Sequence, residues 1–468
     1  DLKSSGEDEE LYKYLILSLC NHLNRIMPFL FEKIDDYTEL MLPEKLLRTD
    51  SILVDLNTII PEDDWKEVEI IGWIYQYYIA PRKEEVFAGL KKNIKISKED
   101  IPAATQLFTP KWIVKYLVEN SLGRLWLESN PDGELQSSLK YYIDQEFEVP
   151  KEKVVSPEGI TLLDPAMGSG HMLVYAFEVL FRIYQSQGYN ESEIPKLILE
   201  KNLYGLEIDD RATQLAGFAL IMKAREYDKN LFDKELKLNL AAIQETSLIC
   251  PIDEKIYPQL NRLWKFFYNA KNYGSILNVQ GFDFKKIDEE YESFVKSYSL
   301  IPYFEKELLR ALVKQAKILG SRYDVVVTNP PYMGYKKMNI NLTKFVNSNY
   351  KNSKRDLYSI FIQRSKELTK SKGLFSIITM QSWIFIPSFQ KLRQVIIEQN
   401  TIINFLHLGP HAFDQIGGEI VSTVAFVIRR NKINRFRGTY ISLKKYDTSK
   451  EKEKEFENKN NYFLINQE

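Results

Sequence analysis

Cysteine and histidine are scarce in this chain of 468 residues. The two cysteines, Cys20 and Cys250, lie far apart, and the four histidines are scattered without the spacing of metal ligands. These absences argue against a disulfide-stabilised secreted domain and against a metal centre. They predict a protein without a bound metal that works in a reducing compartment, the cytoplasm.

Long apolar runs and an excess of charge are also missing. No run approaches the roughly 18 residues that a membrane-spanning helix needs, and the start, DLKSSGEDEE, is too polar for a signal peptide. We therefore expect no membrane partner. The 63 basic and 64 acidic residues leave a formal charge of −1. Global charge thus gives no indication of a nucleic-acid partner, and any basic surface must be local.

The composition is that of a globular protein, and the chain divides into two regions with different patterns of apolar residues. Residues 1–98 predict a helical N-terminal domain, because apolar residues recur there every three or four positions. Residues 99–435 predict a second domain in which strands alternate with amphipathic helices, and this alternation indicates a doubly wound α/β sheet. Within it we expect a connector at 131–158 and a helical insertion at about 250–320.

Seven strands are expected, in the segments GITLLD, LYGLEID, LNLAAIQE, RYDVVVTN, GLFSIITM, IINFLHLG and IVSTVAFVIRR, the last of which closes the series. Residues 436–468 predict the start of a further region or a linker. Their charged stretch at 448–461 predicts a linker or mobile loop in solvent.

The segment DPAMGSG, residues 164–170, follows the first predicted strand. Gly168 and Gly170 permit a tight turn beneath a ligand at the head of the next helix. A phosphate loop would continue with Lys-Ser/Thr where this chain has His-Met, and a dinucleotide fingerprint would need a third glycine where Leu173 stands. Taken alone, the motif leaves a cofactor loop and a plain strand-to-helix turn equally open.

Glu207 ends the second predicted strand, in YGLEIDD. An acidic residue at this place in an α/β sheet can accept both ribose hydroxyls of a nucleoside. In dinucleotide-binding folds the acidic residue follows the glycine turn by about 20 residues, and Glu207 lies roughly twice as far from its turn. The helix-like stretch 190–202 accounts for the difference. The alternative is a surface glutamate, while Asp209 is expected to cap the next helix.

The segment Asn329-Pro330-Pro331-Tyr332 follows the fourth predicted strand, at the same carboxyl edge of the sheet. The Asn329 side-chain oxygen and the Pro330 carbonyl are acceptors that would hold the two hydrogens of an exocyclic amine. The rigid prolines would keep that carbonyl in place. An exposed Tyr332 ring would stack on a base removed from its helix. A Pro-Pro turn with a surface tyrosine is the alternative, which the two preceding motifs disfavour.

These motifs, in this order, resemble those of amino-group methyltransferases that depend on S-adenosyl-L-methionine, and the asparagine suggests adenine N6. The segment 105–119 resembles the further cofactor motif of γ-order DNA adenine methyltransferases. The resemblance implies a Rossmann-like methyltransferase sheet and a cofactor site. It assigns Phe108, Thr109, Pro110, Asp164, Gly168 and Gly170 to the methionine end, Glu207 to the ribose, Glu245 loosely to the adenine, and Pro165, Ala166 and Ile208 beside them.

A closer resemblance covers most of the chain. Residues 104–128, residues 202–225 and the segment NPPYMG look like the adenine-specific DNA methyltransferases of phage-defence BREX systems, the PglX type. This resemblance implies site-specific N6 methylation of adenine in double-stranded DNA, with other BREX proteins as partners. Proteins of that type carry a C-terminal region that recognises target DNA. We therefore expect either that this chain is a fragment or that another polypeptide reads the target.

A local basic cluster follows the catalytic motif. The residues predicted to contact DNA phosphates are Lys336, Lys337, Lys354 and Arg355. A solvated basic loop is the alternative. Trp383 and Phe385, after the fifth strand, are candidates for the base pocket, with core packing expected for at least one of them.

Other functions are also compatible with parts of the sequence. The same Asn-Pro-Pro-Tyr signature serves RNA adenine and protein glutamine methyltransferases, and a catalytically idle DNA- or partner-binding subunit could retain the cofactor pocket. Both alternatives stay open. A fused nuclease has little support, because the N-terminal part shows no convincing Asp…Glu-x-Lys pattern on strands.

Overall fold

The computed structural model describes residues 8–31, 33–34, 39–40, 42–43, 45–66, 68, 70–145, 156–297, 303–413 and 421–467. The predicted connector at 131–158 falls partly outside these ranges. No helix among the described residues is long and apolar enough to cross a membrane.

One sheet of nine strands forms the centre of the molecule, in the order β3-β2-β1-β4-β5-β7-β6-β8-β9. The strands are β1 (Leu162–Asp164), β2 (Leu203–Glu207), β3 (Asn239–Ala242), β4 (Tyr323–Thr328), β5 (Thr369–Met380), β6 (Thr401–Gly409), β7 (Thr423–Arg429), β8 (Arg437–Ser442) and β9 (Tyr462–Asn466). Strands β1 to β5 run parallel, whereas β7 is antiparallel to both β5 and β6.

Helices cover both faces of this sheet. They are α1 (Asp8–Ile26), α2 (Ile52–Ile59), α3 (Ile70–Lys91), α4 (Ile101–Thr105), α5 (Lys111–Val118), α6 (Arg124–Ser129), α7 (Gly133–Ser138), α8 (His171–Ser186), α9 (Ile194–Leu197), α10 (Asp210–Tyr227), α11 (Pro258–Phe266), α12 (Ala270–Tyr273), α13 (Phe284–Ser297), α14 (Tyr303–Gly320), α15 (Ile340–Asn349), α16 (Leu357–Leu368), α17 (Ser382–Phe385), α18 (Gln390–Gln399) and α19 (Ser449–Glu457). The α/β fold class predicted from the alternating pattern is confirmed.

The central strands are apolar on both sides because helices cover both faces. Val325, Val326 and Val327 of β4 have no solvent-exposed surface, as expected for parallel strands in a doubly wound sheet. Burying each valine contributes about 1.5–3 kcal/mol. This burial fixes the register of β4 against β1, in which Leu162 lies beside Val325, and so fixes where each strand ends.

The direction of chain winding reverses between β1 and β4. From β1 the chain proceeds outward to β2 and β3, and it returns to the other side of β1 for β4 and β5. Ligands of open α/β sheets bind at the carboxyl ends of the strands at such a switch point. Asp164 ends β1, and Asn329 follows the last residue of β4.

The prediction that the strand series closes near residue 430 is wrong, because β8 and β9 extend the same sheet. The prediction of a mobile loop at 448–461 is also wrong, since these residues include α19. Thr448 and Glu451 form a capping box at its start. The Thr-x-x-Glu spacing of this motif is recognisable from the sequence alone. Phe456, only 3% exposed, anchors the charged helix against the core.

Candidate active site

A cavity lies at the carboxyl ends of β1, β2 and β4, with about 1010 Å³ of empty space including the open solvent at its mouth. Asp164, Glu207 and Asn329 line it from these three strand ends. Two segments from outside the sheet form a further part of its wall, one from residues 101–109 and one from residues 271–275. The motifs that lie far apart in sequence therefore meet in one place.

Most of the residues that sequence analysis assigned to a cofactor line this cavity. They are Phe108, Thr109, Asp164, Pro165, Ala166, Gly168, Glu207 and Ile208. Pro110 stands just outside the lining and precedes the first residue of α5. Glu245 also stands outside it, three residues beyond β3. Its carboxylate pairs with Lys98 and accepts the backbone N–H of Lys271, which is itself a lining residue.

The glycine turn needs glycine for two separate reasons. Gly168 and Gly170 have φ angles of +52° and +92°, in the left-handed region that other residues avoid. A Cβ on Gly170 would also lie 3.0 Å from the Cβ of Ala216 and 3.1 Å from its Cα. Gly170 thus lets α10 approach the head of α8, and it lies outside the cavity lining.

Asp164 is almost completely buried, with 1% of its surface exposed. Its Oδ1 accepts the backbone N–H of Ala166 at 3.0 Å, which orders the first residues of the turn. Burial raises the pKa of Asp164 to about 7, and the Glu207 carboxylate nearby acts in the same direction. A cationic group of a ligand near Asp164 would therefore favour its ionised form.

Three backbone N–H groups hold the Glu207 carboxylate in place. Oε2 accepts from Gly168 at 2.9 Å, and Oε1 accepts from Ile208 at 2.8 Å and Asp209 at 3.2 Å. Burial raises the pKa of Glu207. A carboxylate offers about four acceptor positions, so Glu207 retains capacity for a hydroxyl from the cavity. As predicted, Asp209 caps α10, its side chain accepting the N–H of Arg211.

The Asn329 side chain is fixed in one orientation. Its Nδ2 donates to the Leu107 carbonyl at 3.0 Å and to the Thr109 hydroxyl at 3.1 Å. Because a carbonyl can only accept, the amide must present its NH₂ to this side. Its Oδ1 is buried and accepts no hydrogen bond within the described residues. A hydrogen-bond donor on a ligand in the cavity would satisfy this buried acceptor.

Tyr332 differs from the exposed ring that sequence analysis predicted, since it is half-buried. Its hydroxyl donates to the Ile378 carbonyl at 3.2 Å, and its ring meets that of Tyr358 edge to face at 6.0 Å. The Pro-Pro segment folds the ring back against the end of β5, so only part of it is available for stacking.

The aromatic residues after β5 have different environments. Trp383 is a core residue, packed against Phe405 and Phe426, and its indole N–H donates to Thr379. Phe385 is 62% exposed. Core packing was expected for at least one of this pair, and Trp383 is that residue.

The predicted basic cluster is partly engaged within the protein. Lys336 and Arg355 are exposed. Lys337 lies over the ring of Phe87, and Lys354 donates to Asn347 at 2.8 Å. The cluster is also not a plain loop, because a 3₁₀ turn at Tyr335–Lys337 and α15 lie within it.

Sequence reasoning missed part of the cavity wall. Leu357 and Phe361 of α16 line it, although their four-residue spacing indicates only a buried helix face. Lys271, Tyr273 and Gly274 also line it, from the helical insertion. No periodicity or motif marks this turn, so only the three-dimensional structure reveals it.

Two family models match the chain. Residues 201–413 match the Eco57I restriction-modification methylase model. Residues 136–242 match the N-6 DNA Methylase model. Among solved structures, the Type ISP restriction-modification enzyme LlaBIII bound to DNA covers 96% of this chain, and the chain covers 28% of it. The TM-score is 0.53 at 14% identity, a likeness that shows the fold alone.

The chain is 40% identical to the adenine-specific methyltransferase BrxX of Escherichia coli O9:H4 (strain HS), over 95% of this chain and 40% of that protein. It is also 40% identical to the adenine-specific methyltransferase PglX of Lacticaseibacillus casei (strain Zhang), over 97% of this chain and 40% of that protein. The chain thus spans two fifths of the length of each. With this identity over nearly all its residues, the chain is similar to the corresponding two fifths of these two adenine-specific methyltransferases.

Proposed function

We propose that this chain is the catalytic part of an adenine-specific DNA methyltransferase that transfers a methyl group from S-adenosyl-L-methionine to adenine N6. The observation that carries the proposal is the buried Asn329 Oδ1, which accepts no hydrogen bond within the described residues although its amide is locked in place. An exocyclic amine supplies the donor that this acceptor lacks. The likeness to the adenine-specific methyltransferases BrxX and PglX supports the same substrate.

The residues around the cavity fit the cofactor. Glu207 presents carboxylate acceptors suited to ribose hydroxyls, and Ile208 offers an apolar face for an adenine ring. Asp164 lies at the neighbouring strand end and would balance a positive charge on the methionine end. When bound, the cofactor supplies an electrophilic methyl group. Glu207, Ile208 and Asp164 would hold the cofactor in the cavity that Asn329 also lines.

On the target side, Asn329 Oδ1 and the Pro330 carbonyl would accept the two N6 hydrogens of a flipped adenine. This arrangement directs the nitrogen lone pair toward the methyl group. The cofactor would supply the methyl group and keep the bonding electron pair on its sulfur, and the methylated nitrogen would lose one proton to water. Positioning provides the rate enhancement, since fixed acceptors need no reorganisation during the reaction. Tyr332 would contribute the exposed part of its ring to stacking.

Double-stranded DNA is the proposed substrate, with Lys336 and Arg355 near its phosphates. A role in phage defence together with other BREX proteins, and a separate target-recognition region, belong to the same proposal. Both follow from the family resemblance.

The test is transfer of labelled methyl groups from S-adenosyl-L-methionine to DNA, RNA or protein, with wild-type protein and Asn329→Ala. We expect label in DNA adenine with wild type and none with the variant, while both bind S-adenosylhomocysteine. Label in RNA or protein instead of DNA would overturn the substrate. Binding of DNA and cofactor without any transfer would favour the idle subunit.

A further inference from the structure

A short turn of the helical insertion, residues 271–275, forms part of the cavity wall. Lys271, Tyr273 and Gly274 line the cavity there. Gly274 has a φ of +56°, and a Cβ on it would lie 2.8 Å from Cγ2 of Ile208. The turn therefore packs directly on a residue that follows Glu207, at the side of the cavity proposed for the cofactor's ribose and adenine.

The outer side of this turn is held by the residues that follow the catalytic motif. The rings of Tyr273 and Phe345 are stacked, with centroids 4.3 Å apart and planes inclined by 22°. Asn272, only 6% exposed, accepts a hydrogen bond at 3.0 Å from the side chain of Asn339, which in turn caps α15.

Two further contacts hold the last residue of the turn and the residue after it. The Tyr350 hydroxyl donates to the Ile276 carbonyl, and the buried Arg364 donates to the Ser275 carbonyl at 3.1 Å. The turn is thus fastened to α15, to the residue after it and to α16.

We propose that Tyr273 is a cofactor-contacting residue and that Phe345 is a positioning residue, which holds Tyr273 against the bound cofactor. The inference rests on the proposed function, since it takes S-adenosyl-L-methionine as the ligand. Phe345 itself lies outside the cavity lining. It belongs to the target-side segment, residues 335–355, which carries the exposed Lys336 and Arg355. The stack therefore links the cofactor cavity to the surface proposed to face DNA.

This arrangement has a thermodynamic consequence. If cofactor binding favours the stacked arrangement of Tyr273, cofactor binding also orders α15. By thermodynamic reciprocity, any change that orders α15 then increases the affinity for the cofactor by the same factor. Stacked aromatic pairs contribute enough to change a binding constant about three- to tenfold. Loss of Phe345 should therefore weaken cofactor binding by a similar factor, although Phe345 would not touch the cofactor.

The experiment is a double-mutant cycle read by calorimetric binding of S-adenosylhomocysteine. We expect Phe345→Ala to weaken binding about three- to tenfold and Phe345→Tyr, which keeps a stacking ring, to restore it. In the Tyr273→Ala background, Phe345→Ala should have no further effect, because its partner is already missing. Tyr268→Ala is the control, since Tyr268 lies in the same insertion, is 39% exposed and does not line the cavity.

Hydrogen exchange of residues 339–350 gives a second measurement that general destabilisation does not reproduce. S-Adenosylhomocysteine should slow exchange there in wild type and in Tyr268→Ala, but not in Phe345→Ala. Phe345→Leu replaces the alanine variant if the latter unfolds. Unchanged affinity and unchanged protection in the Phe345 variant would overturn this inference alone. Absence of binding by wild type would instead overturn the proposed cofactor, and this inference with it.

Discussion

Thr109 and Asn329 are joined by a hydrogen bond of 3.1 Å, from the asparagine Nδ2 to the threonine hydroxyl, across 220 residues of sequence. The contact connects the segment before the first strand to the end of β4. It adds a second acceptor for the amide group that the Leu107 carbonyl already orients. The segment proposed to contact the cofactor and the segment proposed to hold the target amine are therefore joined in the structure.

Thr109→Val should reduce methyl transfer by about fivefold. The variant keeps the size of the side chain but removes the acceptor for Asn329, and a hydrogen bond of this kind contributes about 1 kcal/mol. The Leu107 carbonyl still holds the other amide hydrogen. Thr109→Ser, which keeps the hydroxyl, is the control. Steady-state kinetics should show the change in kcat for the valine variant, and an equal kcat for both variants would contradict this role.

The elevated pKa of Asp164 predicts a pH dependence of folding. Its pKa is about 7 in the folded protein, against about 3.9 in an unfolded chain. Between these values the folded state binds a proton that the unfolded state lacks, so stability falls as pH rises from about 4 to 7 and levels off above. Burial also raises the pKa of Asp356 to about 7, so Asp356 contributes to the pH dependence of stability with the same sign.

Urea unfolding without cofactor, at pH 5 and pH 7.5, measures this dependence. Asp164→Asn should lose less stability between the two pH values than wild type does, because asparagine does not titrate. The remaining dependence belongs to Asp356 and other buried carboxyl groups. An identical loss in wild type and variant would mean that Asp164 is not the titrating group.

Gly170→Ala should destabilise the protein by about 2–3 kcal/mol, from backbone strain together with the clash with Ala216. Two other glycines separate these causes. Gly188 has a φ of +76° with open space around it, so Gly188→Ala should cost about 1 kcal/mol from strain alone. Gly133→Ala has neither problem. The melting temperature should be highest for Gly133→Ala, lower for Gly188→Ala and lowest for Gly170→Ala. Equal melting temperatures for the last two variants would show that the clash with Ala216 does not contribute.

Lys336→Ala combined with Arg355→Ala should weaken binding to duplex DNA and make it less sensitive to salt. Each phosphate contact contributes about 0.9 to the slope of log K against log salt, so loss of both contacts should reduce the slope by about 1.8. Lys285→Ala, an exposed lysine on the insertion, is the control. An unchanged slope would show that this basic cluster is only a solvated surface.

Sequence alone located the polar residues of the site because strand ends are readable from apolar runs and glycine turns. Asp164, Glu207 and Asn329 each follow such a run, and the topology of parallel strands brings them to one edge. The contact between Tyr273 and the cavity was not predictable, because it depends on how a long insertion packs. The half-burial of Tyr332 likewise follows from the path of the Pro-Pro segment against β5, which no local pattern specifies.

The last helix, α19, shows a different reason for failure. Its segment is so highly charged that it suggests exposed chain, yet one aromatic residue, Phe456, and one capping box hold it in place. Composition averaged over the segment hides these two features. The Thr-x-x-Glu signature of this segment indicates where the helix begins.

The most direct test of the account is base-resolution sequencing of DNA from cells that carry the complete gene, in wild-type form or with Asn329→Ala. We expect N6-methyladenine at a recurring sequence with the wild-type gene and none with the variant, at equal protein levels. N6-methyladenine that persists at the same sequence in the Asn329→Ala cells would contradict the central role of the buried Asn329 acceptor.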